Sequence, residues 1–562
     1  MENTDSEWDR RRFLKMMGAG ALSASVAGCS SGNESYSDGT TTGPNGGTTE
    51  DSSGTETETE GSEAEDLGTA VYSYTQTMTK YDPSTNFDGT SLVLSNVYEP
   101  LLWYNTEGNQ ELHPGLATDY EVSEDGLAWT YNLREGVQFH HDYGEMTAED
   151  VVFSIERTME LGQGAAWIWA AVDAVEAVDD YTVEFTLNNR VPLDLITASQ
   201  YGAWIFSKKG AHEKGESFEA QKEWFENGND LGTGPYTITD WQQSSSVTVS
   251  KFDDYWGGWE KKHFSEGKIA IVTEPSTYVE MLKGGDADIL GRAPFPRLSE
   301  LENNEDIEIA VEDSYQQLYG MMNVRKDGTD DVNVRRAIRH VFPYEQAIKE
   351  IRSGYGEQAQ GVVPSNMWGH DSDLPTPDTD VEKAEEYLEQ SDYSAEELSL
   401  TITYTSGNST ERRTALILQN NLEQIGVDLT VEKYPWSTQW ERAKSVETAP
   451  NIFMFYWWPT YITPYDYLYS MFHCVEDTPN FNLTWWCNED FDSLINEAHS
   501  QASTDRDAAV EKFKQAQQMI ESDALSINFW RLNRIHPKRT SLKGYQPNPA
   551  YPNVVFFYDL YR

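Results

Sequence analysis

The chain is poor in cysteine, poor in positive charge and free of long apolar runs. Its 562 residues hold 3 Cys, at positions 29, 474 and 487. So few thiols exclude a disulfide-dense scaffold, and the fold must rest on buried apolar surface. Lys and Arg number 41 against 94 Asp and Glu, for a formal net charge of −53. A field of that sign repels phosphates, which excludes nucleic acid as a partner. The acids run the whole length of the chain instead of forming one tail, which argues against a patch for a cationic partner. Molar salt cuts the Debye length to about 3 Å and screens such self-repulsion. The composition therefore reads as that of a salt-adapted, haloarchaeal-type proteome. No stretch reaches the roughly 20 apolar residues a membrane span requires, so the mature chain is expected to be soluble apart from any anchor.

The short motifs of catalysis are missing too. There is no G-x-x-x-x-G-K-[ST] phosphate loop, no H-E-x-x-H and no G-x-S-x-G. Carboxylate pairs occur everywhere in so acidic a chain and mark no acid–base site. His140-His141-Asp142 sets two imidazoles side by side, but neighbours on a strand point to opposite faces. A solvated loop is expected there, with no metal and no cofactor. No nucleophile–base pair stands out, so a surface hydrolase has no support and the chain reads as a non-enzyme.

What is present begins at the N-terminus. Arg10-Arg11-Arg12-Phe13-Leu14-Lys15 precedes a short run rich in Ala, Gly and Ser that ends in Val26-Ala27-Gly28-Cys29. A basic start, a short apolar stretch and a small-residue processing site make a signal peptide. Its basic part resembles the twin-arginine signal and its end resembles a lipobox, so Cys29 is the expected lipidation site. Residues 30–66 are Ser, Thr, Gly, Glu and Asp with almost nothing apolar. Such a segment cannot bury a core and is expected to be a disordered tether with a reach of roughly 30–35 Å.

Folded sequence is expected from about residue 67. Strand patterns occur at 70–74, 129–133, 181–187, 247–249 and 398–404, and helix patterns at 147–161, 334–341, 380–390, 410–425 and 506–523. Thr147-Ala148-Glu149-Asp150 has the form of a capping box. The alternation argues for α/β lobes. With 29 residues removed the chain still exceeds one core, so two or more lobes are expected. Cys474 and Cys487 are close in sequence, and either a disulfide or two buried thiols fits them. Asn408-Ser409-Thr410 and Asn482-Leu483-Thr484 have the form of glycosylation sequons.

Aromatic residues are abundant, with 18 Trp and 31 Tyr. They cluster at Trp167-Ile168-Trp169, at Trp436 and Trp440, at 453–461 and at Trp485-Trp486. Trp and Tyr combine large rigid area with a polar handle, which suits ligand clefts as well as cores. Phe453 and Phe455, at strand alternation, are expected in the core. Trp457 and Trp458 precede a Pro turn and cannot both face one core, so a cleft role is expected for them.

One run of segments is diagnostic. Tyr98-Glu99-Pro100-Leu101-Leu102 is followed by His113-Pro114-Gly115-Leu116-Ala117, Leu133-Arg134-Glu135-Gly136-Val137 and Met146-Thr147-Ala148-Glu149-Asp150-Val151-Val152-Phe153. Gly232-Thr233-Gly234-Pro235-Tyr236, Tyr255-Trp256 and Val334-Arg335-Arg336-Ala337-Ile338 come later. In order and spacing these resemble the family 5 solute-binding proteins of ABC importers, the dipeptide and oligopeptide-binding type. The resemblance covers nearly all the folded chain. It implies a two-lobed periplasmic-binding-protein-like type II α/β fold with a hinged ligand cleft. Lobe I would be 67–320 with an inserted subdomain at about 105–230, lobe II 321–528, and 529–562 would return to lobe I. Cys474 and Cys487 resemble the disulfide-closed loop of dipeptide-binding members. The implied partners are a peptide solute, an ABC permease and its ATPase, with the chain a monomer on the outer face of the cell membrane. An oligosaccharide or another small solute is the alternative ligand.

Candidate cleft residues are Tyr74, Thr75 and Gln76 after the first strand, Trp167, Trp169, Tyr404, Trp436, Trp457, Trp458, Thr460 and Tyr461. The resemblance places Thr460 where dipeptide binders carry the Asp that holds the peptide's amino group. It places Ser406-Gly407-Asn408 where they carry an Arg for the carboxylate. The expected ligand is therefore longer, or uncharged at its ends, and held by Trp and Tyr.

Overall fold

The computed structural model describes residues 66–87, 89–105, 111–259, 262–474, 481–552 and 554–562. The twin-arginine segment, Cys29 and all of the tether but Asp66 lie outside the described residues. Asp66 forms a lone parallel bridge with His263, so ordered pairing begins one residue earlier than the sequence suggests.

Strands of alternating burial, and others such as Gln317–Met322 and Ser526–Arg531 that are buried throughout, build three main sheets. The first has seven strands in the order Ile307–Glu312, Arg534–Arg539, Ile289–Leu290, Thr69–Tyr74, Glu266–Ile271, Ser246–Lys251 and Tyr236–Gln242. The second has five, in the order Asp428–Tyr434, Ser399–Thr405, Ile452–Trp457, Gln317–Met322 and Ser526–Arg531. Ser399–Thr405 runs parallel to Asp428–Tyr434 in register from Ser399 opposite Asp428 to Thr405 opposite Tyr434. The helix Ser409–Gln424 makes that crossover. It starts where Asn408 accepts the Glu411 N–H at its cap.

The chain passes from the first sheet to the second between Glu312 and Gln317, and back between Arg531 and Arg534. The two passages lie side by side, since Leu532 N donates to Gln316 O at 2.9 Å. Two adjacent crossings with no third among the described strands are the geometry of a hinge. A four-stranded antiparallel sheet, Ala117–Val122, Ala128–Leu133, Thr182–Leu187 and Val172–Asp179, is inserted between strands of the first sheet. The helix Ala148–Leu161 packs on it. Its start is fixed as the capping box predicts, for Asp150 accepts the Thr147 N–H at 2.9 Å.

Buried apolar clusters follow the sheets. One core joins the first sheet to the C-terminal segment through Tyr72, Val249 and Phe557. A second packs the helices Val332–Val341 and Ser409–Gln424 onto the second sheet through Leu318, Ile402 and Leu418. A third runs from the inserted sheet at Trp129 and Phe185 to the other face of the second sheet at Phe453 and Phe455. Phe453 and Phe455 are buried there, as expected from their alternation. Cys474 and Cys487 form a disulfide. Asn482 is buried and donates from Nδ2 to the carbonyls of Phe472, His473 and Trp486. The folded chain therefore offers no access to the second sequon.

Candidate functional site

The diagnostic motifs turn out to build the scaffold. Glu99 is buried and collects Thr233 Oγ1 at 2.9 Å, Tyr255 Oη at 3.1 Å and Trp256 Nε1 at 2.9 Å. Three segments far apart in sequence thus meet on one carboxylate. The Arg134 guanidinium closes the cluster 3.9 Å above the Trp256 ring. Gly232 must be glycine because a Cβ there would lie 1.9 Å from Val97 O. His140 belongs to the same framework. It is fully buried, paired through Nδ1 with Asp230 and through Nε2 with Gly234 O at 2.8 Å. The solvated loop expected at 140–142 is therefore corrected at His140, while His141 and Asp142 are exposed. Asp230, ninety residues away, is the partner that local sequence could not reveal.

The cleft lies at the crossings. A cavity of about 630 Å³ is walled by Tyr74, Gln76, Phe87, Tyr201, Arg292 and Phe295 from the first sheet and its insertions. Arg352, Asn408, Tyr456 and Trp458 line it from the second side, and Gln316, Asn533 and Arg534 from the crossings. That volume falls within the usual range for small-molecule sites, about 300–1,000 Å³. Of the expected cleft residues, Tyr74, Gln76 and Trp458 line this cavity, and Trp458 stays 39% exposed.

The other expected residues lie elsewhere. Trp457 donates Nε1 to Asp466 Oδ1 at 2.8 Å and packs against Phe481, ring centroids 4.7 Å apart. Thr460 donates its N–H to Asp466 Oδ2 at 3.2 Å, and its carbonyl accepts from Ser199 Oγ at 3.0 Å. Burial pushes the Asp466 carboxyl up to about 7 in spite of these donors. Tyr461 is buried with its ring 6.1 Å from Trp167. Trp169 is a core residue, buried and donating Nε1 to Gly202 O at 2.8 Å, because both faces of its short turn are enclosed. Tyr404 is buried as well, Thr75 is half-buried beside the cavity wall, and Trp436 stacks on Trp440 at the surface.

Thr460 and Tyr461 sit where the two sides of the molecule touch. Ile462 N donates to Tyr104 Oη at 3.0 Å, and Tyr104 Oη donates to Leu195 O at 2.6 Å. Arg506 reaches Asp194 across the same seam at 2.9 Å. These contacts bridge the inserted segment and the second lobe. Sequence reasoning missed Arg292, Arg352, Arg534, Phe87 and Tyr201. No local pattern separates them from surface residues, because the fold alone brings positions 87, 201, 292, 352 and 534 together.

Two lobes on adjacent crossings, with a cavity walled from both, define a hinged solute-binding protein. The profile of the bacterial extracellular solute-binding proteins, family 5 (middle), matches residues 111–479, and the chain belongs to that family. It is 27% identical over 481 residues, 84% of this chain and 90% of the relative, to the probable D,D-dipeptide-binding periplasmic protein of Escherichia coli. It is likewise 27% identical over 509 residues, 86% of this chain and 92% of the relative, to the Escherichia coli dipeptide-binding protein. The solved structure of the periplasmic binding protein DppA from Helicobacter pylori, in complex with the peptide STSA, superposes with a TM-score of 0.73. It is 25% identical and is covered to 98%, against 88% of this chain. Family members are binding proteins. Among the described residues no helix is long and apolar enough to cross a membrane.

Proposed function

We propose that the chain is the extracellular receptor of an ABC importer and that it captures short peptides in the cavity at its hinge. The cavity of about 630 Å³, with walls from both lobes and from the crossings, carries this reading. Its size suits a few residues of extended peptide, and its walls offer aromatic faces and side-chain amides in place of reactive groups. Relatives named for dipeptides and a neighbour holding a tetrapeptide support the same class. The lobes close around the solute, and the closed form is what the permease receives. The solute leaves unchanged. The segment 10–29, with its paired arginines and Cys29, directs export in folded form and lipidation at Cys29. The acidic stretch 30–66 then tethers the receptor, as a monomer, near the outer face of the membrane.

Equilibrium dialysis in molar KCl tests the ligand class. The full chain is held against an equimolar mixture of tripeptides, cello-oligosaccharides and malto-oligosaccharides, and the retained solutes are weighed by mass spectrometry. Retention of intact peptides is expected. Retention of oligosaccharides alone would replace the peptide reading, and recovery of cleaved peptides would remove the binding-only role.

A further inference from the structure

The cavity differs in charge from the rest of the molecule. Asp and Glu account for 94 of 562 residues, yet among the described residues neither lines the cavity, whereas Arg292, Arg352 and Arg534 all do. The three guanidiniums are held by neutral groups. Arg352 donates Nε to Tyr355 O at 3.1 Å and Nη2 to Asn533 O at 2.8 Å, with Phe295 4.6 Å beneath it. Arg292, exposed at the rim, donates Nη2 to Gln76 Oε1 at 2.9 Å and lies 5.6 Å from the Tyr74 ring.

Arg534 is the least satisfied. Its Nη1 is shielded from water with no hydrogen-bond partner, and its Nη2 reaches Gln316 Oε1 only at 3.4 Å. Glu312 contributes opposing charge from nearby, but it lies outside the lining and gives its Oε2 to His536 Nε2 at 2.8 Å. A guanidinium group kept from water and left unpaired is unfavourable until an anion completes it. In a chain with so many carboxylates, a cavity whose described lining gathers three arginines and no acid is prepared for charge brought by the ligand.

We propose that this cavity selects solutes with net negative charge, Arg534 and Arg292 taking carboxylates of the ligand while Arg352 frames the wall between them. Resting on the peptide reading above, this means that acidic peptides are the preferred class and that neutral and basic ones of equal length bind more weakly. The charge anchor thus sits at the crossing and in lobe I, while Asn408, in the segment where the resemblance expects an arginine, lines the same cavity as a neutral amide.

The test compares peptides of one length and shape. Ala-Glu-Glu, Ala-Gln-Gln and Ala-Lys-Lys are titrated calorimetrically into the full chain in molar KCl. The Glu peptide is expected to bind about tenfold or more tighter than the Gln peptide, the scale of a charge-assisted hydrogen bond. Arg534→Gln is expected to bring that ratio close to one, the Glu peptide losing much more affinity than the Gln peptide. Arg292→Gln, at an exposed site that does not endanger folding, is expected to lower the ratio by a smaller factor. Equal affinity for the Glu and Gln peptides in the parent protein overturns the inference, as does an unchanged ratio in both variants. Failure of all three peptides to bind overturns the peptide reading itself, and the inference with it.

Discussion

Trp458 at the cavity and Glu99 in the scaffold behave differently. Trp458 lines the cavity together with Tyr456 and is the more exposed of the two. Trp458→Ala is expected to weaken solute binding by about 1–3 kcal/mol, the size of an aromatic stacking loss, with no change in unfolding midpoint beyond a degree or two. Trp457→Ala is expected to do the reverse and lower stability, since its indole is bonded to Asp466 and packed on Phe481. Calorimetry and thermal unfolding of the two variants separate these roles. Glu99 tests burial instead. Desolvation pushes its carboxyl up to about 7, against the lowering pull of Trp256, Thr233 and Tyr255. An unfolded Glu titrates near 4.3, so the folded state holds the proton more tightly. The stabilisation linked to that proton is full below about pH 4 and is lost as pH rises through 7. Glu99→Gln cannot ionise. The stability of the parent relative to this variant is therefore expected to fall between pH 5 and pH 8, and denaturant titrations that give the same difference at both would contradict it.

At the scale of elements, the strands and helices with strong local patterns were readable from sequence. The helix expected over 506–523 is Arg506–Ser522, that over 410–425 is Ser409–Gln424, and the strand expected over 398–404 is Ser399–Thr405. Apolar spacing and caps act within a few residues, so one chain segment carries the whole signal. The cleft is not of that kind. Trp458 was readable from its Pro turn, but Arg292, Arg352 and Arg534 come from a loop, a helix end and a returning strand that meet only after both crossings form. Trp169 misled because a buried tryptophan and a cleft tryptophan look alike in sequence. The seam between lobes was equally silent: Asp194 and Arg506 are 312 residues apart. Their contact favours the shut form. Asp194→Asn is expected to shift the hinge toward the open state and weaken solute binding by about 1 kcal/mol, the upper range for a pair with one partly exposed partner. An enlarged radius of gyration in unliganded small-angle scattering should accompany the loss.

The whole molecule is governed by its net charge of −53. Self-repulsion on that scale opposes the compact state and is screened as the Debye length shrinks. The unfolding temperature is expected to rise steeply between low salt and molar KCl, and a midpoint independent of salt would contradict the salt-adapted reading. The same screening weakens exposed ion pairs such as Lys208 with Glu149 but spares shielded ones such as Arg157 with Asp82. A binding site that works in such a medium does best with aromatic faces and water-shielded arginines, which Trp458 and Arg352 supply while Arg292 stays exposed at the rim. Capture of a peptide between two hinged lobes is the central claim, and calorimetric titration of a short peptide into the full chain in molar KCl tests it most directly. Saturable binding of one peptide per chain, weakened in Trp458→Ala, is the predicted result. Absence of binding by any peptide, or full affinity in Trp458→Ala, would contradict it.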